Sequence, residues 1–184
     1  MTEAPSPRTI LNNLFGRLKK IYQVMFAAVI GLAAITFLFA AGAKPLMVID
    51  QKLIQPFISM LMIISFVDLG IMIFLDRRFK SATSVRNYLG GKGMTAVNVD
   101  LSKVLFFDDD KLAISLLPHY FQMCVIRWAL ILSVGVYGFV IAIVTGTILT
   151  PLVFYAVSMA FMLNMKPSME ELQNLLRLAK EARG

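Results

Sequence analysis

Four long runs of apolar residues constrain this chain more than any motif in it. Tyr22–Ala43 carries no charge, Leu53–Leu75 carries only Asp68, Tyr120–Thr145 carries only Arg127, and the shorter Ile148–Met165 carries none. A helix rises 1.5 Å per residue, so about 20 residues cross a ~30 Å hydrocarbon layer. Backbone amides in lipid must bond within their own segment, which makes each run a helix. Burial inside a soluble protein is the other way to hide such runs. Composition argues against it, because 58% of the residues are hydrophobic and 16% charged, against about 45–50% and 25% in soluble domains. The first run follows a polar lead and is longer than the roughly 7–15 residues of a secretory core, so it reads as an uncleaved span.

Lysine and arginine set the orientation. Arg8, Arg17, Lys19 and Lys20 precede the first run. Arg77, Arg78, Lys80, Arg86, Lys92, Lys103 and Lys111 lie between the second and third, and Lys166, Arg177, Lys180 and Arg183 follow the fourth. The opposite side has only Lys44 and Lys52. Fifteen against two puts both ends and the central loop in the cytoplasm. The net charge of +7 is then a topology signal, spread along membrane edges where it favours anionic lipid headgroups. It is not gathered into the stripe that nucleic acid would need.

The predicted fold is therefore an all-α integral membrane protein with four transmembrane helices in two hairpins. Residues 1–21 form a cytoplasmic amphipathic helix, 22–75 the first hairpin (22–43 and 53–75) and 76–119 a small cytoplasmic loop. Residues 120–165 form the second hairpin (120–145 and 148–165), and 166–184 an amphipathic tail helix. Ile10, Leu11, Leu14, Phe15, Leu18, Ile21 and Tyr22 repeat at helical spacing, as expected of a helix that lies on the membrane surface before turning inward. In the tail, Ser168 and Glu171 match a capping box after Pro167, and Met169, Leu172, Leu175, Leu176 and Ala179 form a stripe. Leu14, Phe15, Leu18, Leu172, Leu175 and Leu176 are thus candidates for docking on a membrane surface or a partner, with the central loop as a further surface for the tail. In the loop, Ser81–Leu89 reads as a short helix closed by Gly90-Gly91, and Thr95–Leu101 alternates like a strand. Pro118 reads as the start of the third span.

Small residues four apart let membrane helices approach closely. Ala27 and Gly31 form one such pair, Gly138 and Ala142 a second, Ala156 and Ala160 a third.

Asp68 is the most informative single residue. An ionisable group inside a span is costly and pairs, lines a polar cavity or carries protons. Arg127, at a matching depth from the cytoplasmic edge, is the expected partner in an intramembrane ion pair or polar site. The plainer reading has Arg127 snorkelling to the headgroups beside an interfacial Trp128, and Asp68 protonated or bonded to a neighbouring Ser or Thr.

Little else carries chemistry. One cysteine, Cys124, and one histidine, His119, support neither a disulfide framework nor a bis-histidine haem. His119 reads as a surface or interfacial residue. Asp108–Asp110 lacks the ligand spacing of a calcium loop and reads as a solvated acidic turn. Gly90-Gly91-Lys92-Gly93 lacks the spacing of a phosphate loop. No cofactor and no metal site is expected, and no catalytic residue is assigned.

The leading expectation is a non-enzymatic multipass subunit that scaffolds or anchors a larger membrane complex for transport, secretion or energy conversion. Its partners would be anionic lipid and other membrane subunits or itself. A small homo-oligomeric channel or transporter using Asp68 is the alternative. A weaker alternative is a lipid-modifying enzyme at the cytoplasmic face that uses His119 and the aspartate turn. Compact loops point to the bacterial inner membrane, with an organelle membrane as the other setting for such a chain.

Overall fold

The structure, a computed structural model, describes residues 7–42, 51–90 and 109–181. Six helices carry them: α1 Pro7–Gly42, α2 Gln51–Phe79, α3 Ala82–Leu89, α4 Asp109–Thr145, α5 Leu149–Asn164 and α6 Met169–Glu181. No strand occurs among the described residues. The Thr95–Leu101 strand, Gly91 and Asp108 lie outside them.

Three helices are long and apolar enough to cross a membrane: Arg8–Phe39, Lys52–Phe79 and Leu112–Thr145. The fourth expected span is shorter than the others. α5 has 16 residues, about 24 Å at 1.5 Å per residue. It reaches span length only when taken together with α6, across a 59° bend.

Two boundaries differ from the sequence reading. The N-terminal amphipathic stretch does not turn before entering the first apolar run, because α1 is one helix of 36 residues. α4 begins at Asp109 and contains Pro118 in its interior. Proline costs a helix one N–H bond and a clash one turn back, and the apolar residues on both sides of Pro118 hold the helix through it.

The chain divides into two compact units. The first comprises Met1–Ile21, Phe74–Val125 and Pro167–Gly184. Its core is built from short amphipathic pieces. α3 starts at Ser81, whose Oγ accepts from the Ser84 amide at 3.2 Å, and buries Val85, Tyr88 and Leu89. α6 packs on α3, burying Leu172, Leu175 and Ala179. From the start of α1, Leu11, Phe15 and Leu18 are buried, and Phe15 stacks on Tyr120 at 6.4 Å between ring centroids.

This corrects the docking assignment. Phe15, Leu18, Leu172 and Leu175 are spent on the chain's own core, and Leu14 and Leu176 are half-buried. The stripes are real, but a 13-residue helix is marginal alone in water, and α3 is the element it packs on.

The second unit comprises Tyr22–Ile73 and Ile126–Lys166. Here α4 and α5 run antiparallel after a turn at Gly146, whose φ of 65° is open to glycine at no steric cost. Close packing comes from Gly138 and Gly135. A Cβ on Gly138 would lie 2.9 Å from Phe154 Cβ and 3.2 Å from the Pro151 carbonyl, and one on Gly135 would lie 3.5 Å from Ser158 Oγ. Ala142 is buried on the same helix. Ala156 and Ala160 are not its counterparts. Both are exposed, and α5 meets α4 through Pro151, Phe154 and Ser158 instead.

α1 joins this unit through polar contacts at two depths. The Tyr22 hydroxyl donates to the Met162 carbonyl at 3.1 Å, and the Thr36 and Tyr155 hydroxyls lie 2.5 Å apart. Ala27 and Gly31 take no part. Ala27 is exposed, and a Cβ on Gly31 would meet nothing within 4 Å.

Candidate functional site

The second unit holds one acidic side chain among its described residues, Asp68 on α2, and α4 provides its partners. Ser133 and Tyr137 are four residues apart and so share one face of α4. The Tyr137 hydroxyl donates to Asp68 Oδ2 at 2.8 Å, and Ser133 Oγ lies 2.6 Å from the same oxygen. Ser133 Oγ is also 2.7 Å from the Leu130 carbonyl. Asp68, Ser133 and Tyr137 are each half-buried.

The neighbouring surface is apolar. A small groove beside the cluster is lined by Met62, Phe66, Leu69, Val134 and Phe154. Its one hydroxyl, on Ser65, donates back to the Leu61 carbonyl at 2.8 Å, the usual fate of a lone serine in a helix.

The expected Asp68–Arg127 ion pair is not formed. Asp68 meets α4 six and ten residues beyond Arg127, which at 1.5 Å per residue is about 9 and 15 Å further along the helix. Arg127 does not snorkel out of the chain either. It is only 1% exposed, with Nη1 at 3.6 Å from the Met165 sulfur. Beside it the Trp128 indole donates to the Met165 carbonyl at 2.9 Å, and the Tyr22 ring lies 5.4 Å from the Trp128 ring. Matching depth was readable from the helix ends. Azimuth was not, and the paired hydroxyls of Ser133 and Tyr137 were the signal that could have supplied it.

The first unit holds a second polar cluster. Lys80 Nζ lies 2.8 Å from Asp76 and 2.7 Å from Glu171. The Tyr120 hydroxyl donates to Glu171 Oε2 or to the Ser168 carbonyl, both at 3.1 Å, and accepts from the Ser168 amide at 2.9 Å. The capping box expected at the start of α6 is therefore half made. Ser168 Oγ accepts from the Glu170 amide, but Glu171 turns to Lys80 and Tyr120, and the phenol takes the Ser168 amide in its place.

His119 is buried rather than interfacial, at 3% exposure. Its Nε2 lies 3.3 Å from the Phe79 carbonyl, and its ring sits between Phe79 at 5.2 Å and Tyr88 at 4.8 Å. Burial raises the Tyr88 phenol above its usual value, and its hydroxyl has no hydrogen-bond partner among the described residues. Asp109 is not near His119's described contacts and pairs instead with Lys180 at 2.6 Å. Cys124 is buried. Among the described residues no group of three or more His, Cys, Asp or Glu side chains could hold a metal ion.

Set against known proteins, the sequence matches no family model, and neither a curated protein nor a solved structure matches it.

Proposed function

We propose that this chain is a non-enzymatic, multipass subunit that anchors or scaffolds a larger membrane complex. The observation that supports the reading is the outward face of α1. Ala27, Gly31 and Ala34 fall on one helix face, Ala27 and Ala34 are exposed, and the space over Gly31 is open. Small residues at this spacing bring two membrane helices into close contact, and no described residue packs on them closely. Around them α1 exposes Val24, Ile30, Ile35 and Leu38, and α2 exposes Ile63, Phe66, Val67 and Phe74. In a bilayer such faces meet lipid or a neighbouring span. The amphipathic ends, occupied within the first unit, are no longer part of the case.

The charge asymmetry supports an orientation with both ends in the cytoplasm, next to anionic headgroups, and the compact loops support the bacterial inner membrane as the setting. It gives no reason to invoke nucleic acid. In that orientation α5 crosses with α4 as the second hairpin, and the process served is transport, secretion or energy conversion.

The test is the mass of the intact particle after gentle extraction from its native membrane. The wild-type particle is expected to exceed the 20.5 kDa of one chain. Ala27→Leu combined with Gly31→Leu is expected to reduce it to single chains with helix content unchanged. A wild-type particle of one chain would sink the subunit reading, and a double variant of undiminished mass would remove α1 as its interface.

A second reading, a small homo-oligomeric channel or transporter, is favoured by one observation. Asp68 is held by hydroxyls rather than by a counter-charge, so it stays available to a moving ion. Flux in liposomes that vanishes in Asp68→Asn would select this reading.

A further inference from the structure

The basic residues nearest the ends of the first two apolar runs stand in mirror order. Lys19 and Lys20 come three and two residues before Tyr22, and Arg77 and Arg78 two and three residues after Leu75. At 1.5 Å per residue, each pair lies about 3 to 5 Å beyond the apolar run of its own helix. Lipid headgroups occupy that depth in a bilayer.

All four residues belong to the first unit, and its packing turns them outward. Leu11, Phe15 and Leu18 bury one face of α1, which leaves Lys19 and Lys20 on the exposed side. The Lys19 ammonium rests 5.3 Å over the Phe15 ring, so its stem lies along the helix while the charge keeps contact with water. Arg77 and Arg78 are exposed as well.

The acids of this unit are committed elsewhere. Asp76, at the same depth on α2, lies 2.8 Å from Lys80, which also holds Glu171 at 2.7 Å. Asp109 pairs with Lys180, and Glu181 with Arg177. Glu170 is exposed in the first turn of α6. Among the described residues none of the four cations has an ion-pair partner. The charge is therefore left uncompensated where lipid phosphates lie.

Consecutive residues of a helix point about 100° apart, so neither pair closes on a single phosphate. Each pair reaches headgroups on two sides of its helix. The arginines offer a fork that fits phosphate oxygens, and the lysines a point charge.

We propose that Lys19, Lys20, Arg77 and Arg78 form a collar that selects anionic over zwitterionic phospholipid. A zwitterionic head carries its own cation beside the phosphate and gains little from another. A head with net negative charge gains the full attraction. A soluble polyanion would have to reach in among the headgroups to meet the same four residues. The proposal deepens the membrane reading above and rests on α1 and α2 crossing the bilayer. It does not rest on partner subunits, so a single-chain particle in the mass measurement leaves it standing.

The test places the whole chain in mixed micelles with equal amounts of phosphatidylglycerol and phosphatidylcholine, and counts the lipids retained by native mass spectrometry. Micelles have no sides, so a change of orientation cannot imitate a loss of binding. Wild type is expected to retain phosphatidylglycerol in excess, and added salt to lower the excess. Lys19→Gln with Lys20→Gln, and Arg77→Gln with Arg78→Gln, are each expected to lower the ratio at least about fivefold, the worth of one cation near a charged surface. Arg8→Gln removes a charge about 21 Å along α1 from Tyr22, beyond the ~8 Å Debye length, and is expected to leave the ratio unchanged. Equal retention of the two lipids by wild type overturns the proposal. So does a fall in Arg8→Gln as large as in the paired variants, which would make the preference one of net charge. Displacement of phosphatidylglycerol by an equal charge of added RNA overturns it in favour of a soluble polyanion. If a paired variant loses its helix content, the salt series on wild type decides, and a ratio indifferent to salt overturns the collar.

Discussion

Gly138→Leu is expected to cost about 1–3 kcal/mol or more of stability, the penalty of forcing extra carbons into a packed interior. Gly138 is the tightest contact between α4 and α5. A Cβ there would stand 2.9 Å from Phe154 Cβ and 3.2 Å from the Pro151 carbonyl. Neither neighbour is the loose end of a side chain, so the helices themselves must part. Parting them also loosens Ser158, whose hydroxyl donates to the Ile131 carbonyl at 2.9 Å, and Trp128, which donates to the Met165 carbonyl. The single tryptophan makes its fluorescence a direct reporter of unfolding in mixed micelles. Gly135→Ala is the control. Its Cβ would sit at an ordinary 3.5 Å from Ser158 Oγ, and its unfolding midpoint is expected to stay close to wild type. A Gly138→Leu midpoint as high as that of Gly135→Ala would show that α4 and α5 do not pack through this glycine.

The second large effect belongs to the tail. Leu175→Ala is expected to cost about 2–5 kcal/mol, the range for emptying a buried leucine site. Leu175 is 1% exposed on α6, between Leu172 and Ala179, and α6 packs on α3, whose buried residues are Val85, Tyr88 and Leu89. A 13-residue helix has little stability of its own, so most of the loss falls on α6. Its amides should then exchange with deuterium many-fold faster, while those of α5 keep their wild-type rates. Leu176→Ala, at a half-buried position, is expected to do much less. Unchanged exchange across α6 in Leu175→Ala would mean that the tail is held by something other than its buried stripe. The contacts from Lys80 to Glu171 and from Tyr120 to Ser168 and Glu171 would then be its anchor.

Much of this architecture was legible in the sequence, for a physical reason. An apolar run long enough to cross a bilayer has one way to satisfy its backbone, so hydropathy alone places α1, α2 and α4. The short elements were legible through their caps and stripes. Ser81 and the end at Gly90 bound α3, and Ser168 with Leu172, Leu175 and Ala179 announces α6. What such patterns do not carry is direction. The stripes on α1 and α6 say that an apolar face must be covered, not by what: the first pointed to the membrane surface or a partner and the second to the membrane, the central loop or another protein, and among the described residues α6 packs on α3 of that loop. The small-residue pairs failed in the same way. Spacing marks Ala27 and Gly31, Gly138 and Ala142, and Ala156 and Ala160 alike. Only Gly138 lies under a neighbouring helix at a distance a side chain would forbid. Asp68 was singled out as the residue to explain. Counting depth from the helix ends matched it to Arg127, whereas rotation about α4 turns Ser133 and Tyr137 toward it. A charge draws the eye to an opposite charge, and two hydroxyls one turn apart are the quieter signal.

Which helices cross the bilayer, and in which sense, is measured directly by labelling single cysteines in oriented membrane vesicles. Cys124 is buried and is replaced by serine as the background. Arg8→Cys and Lys180→Cys are expected to react with a membrane-impermeant reagent from the cytoplasmic side alone, and Lys52→Cys from the opposite side alone. With α2 and α4 crossing, as their length and hydropathy allow, that result requires α5 to cross as well. Lys180→Cys reacting from the same side as Lys52→Cys would mean that α5 does not cross, and would contradict the two-hairpin arrangement on which the proposed function stands.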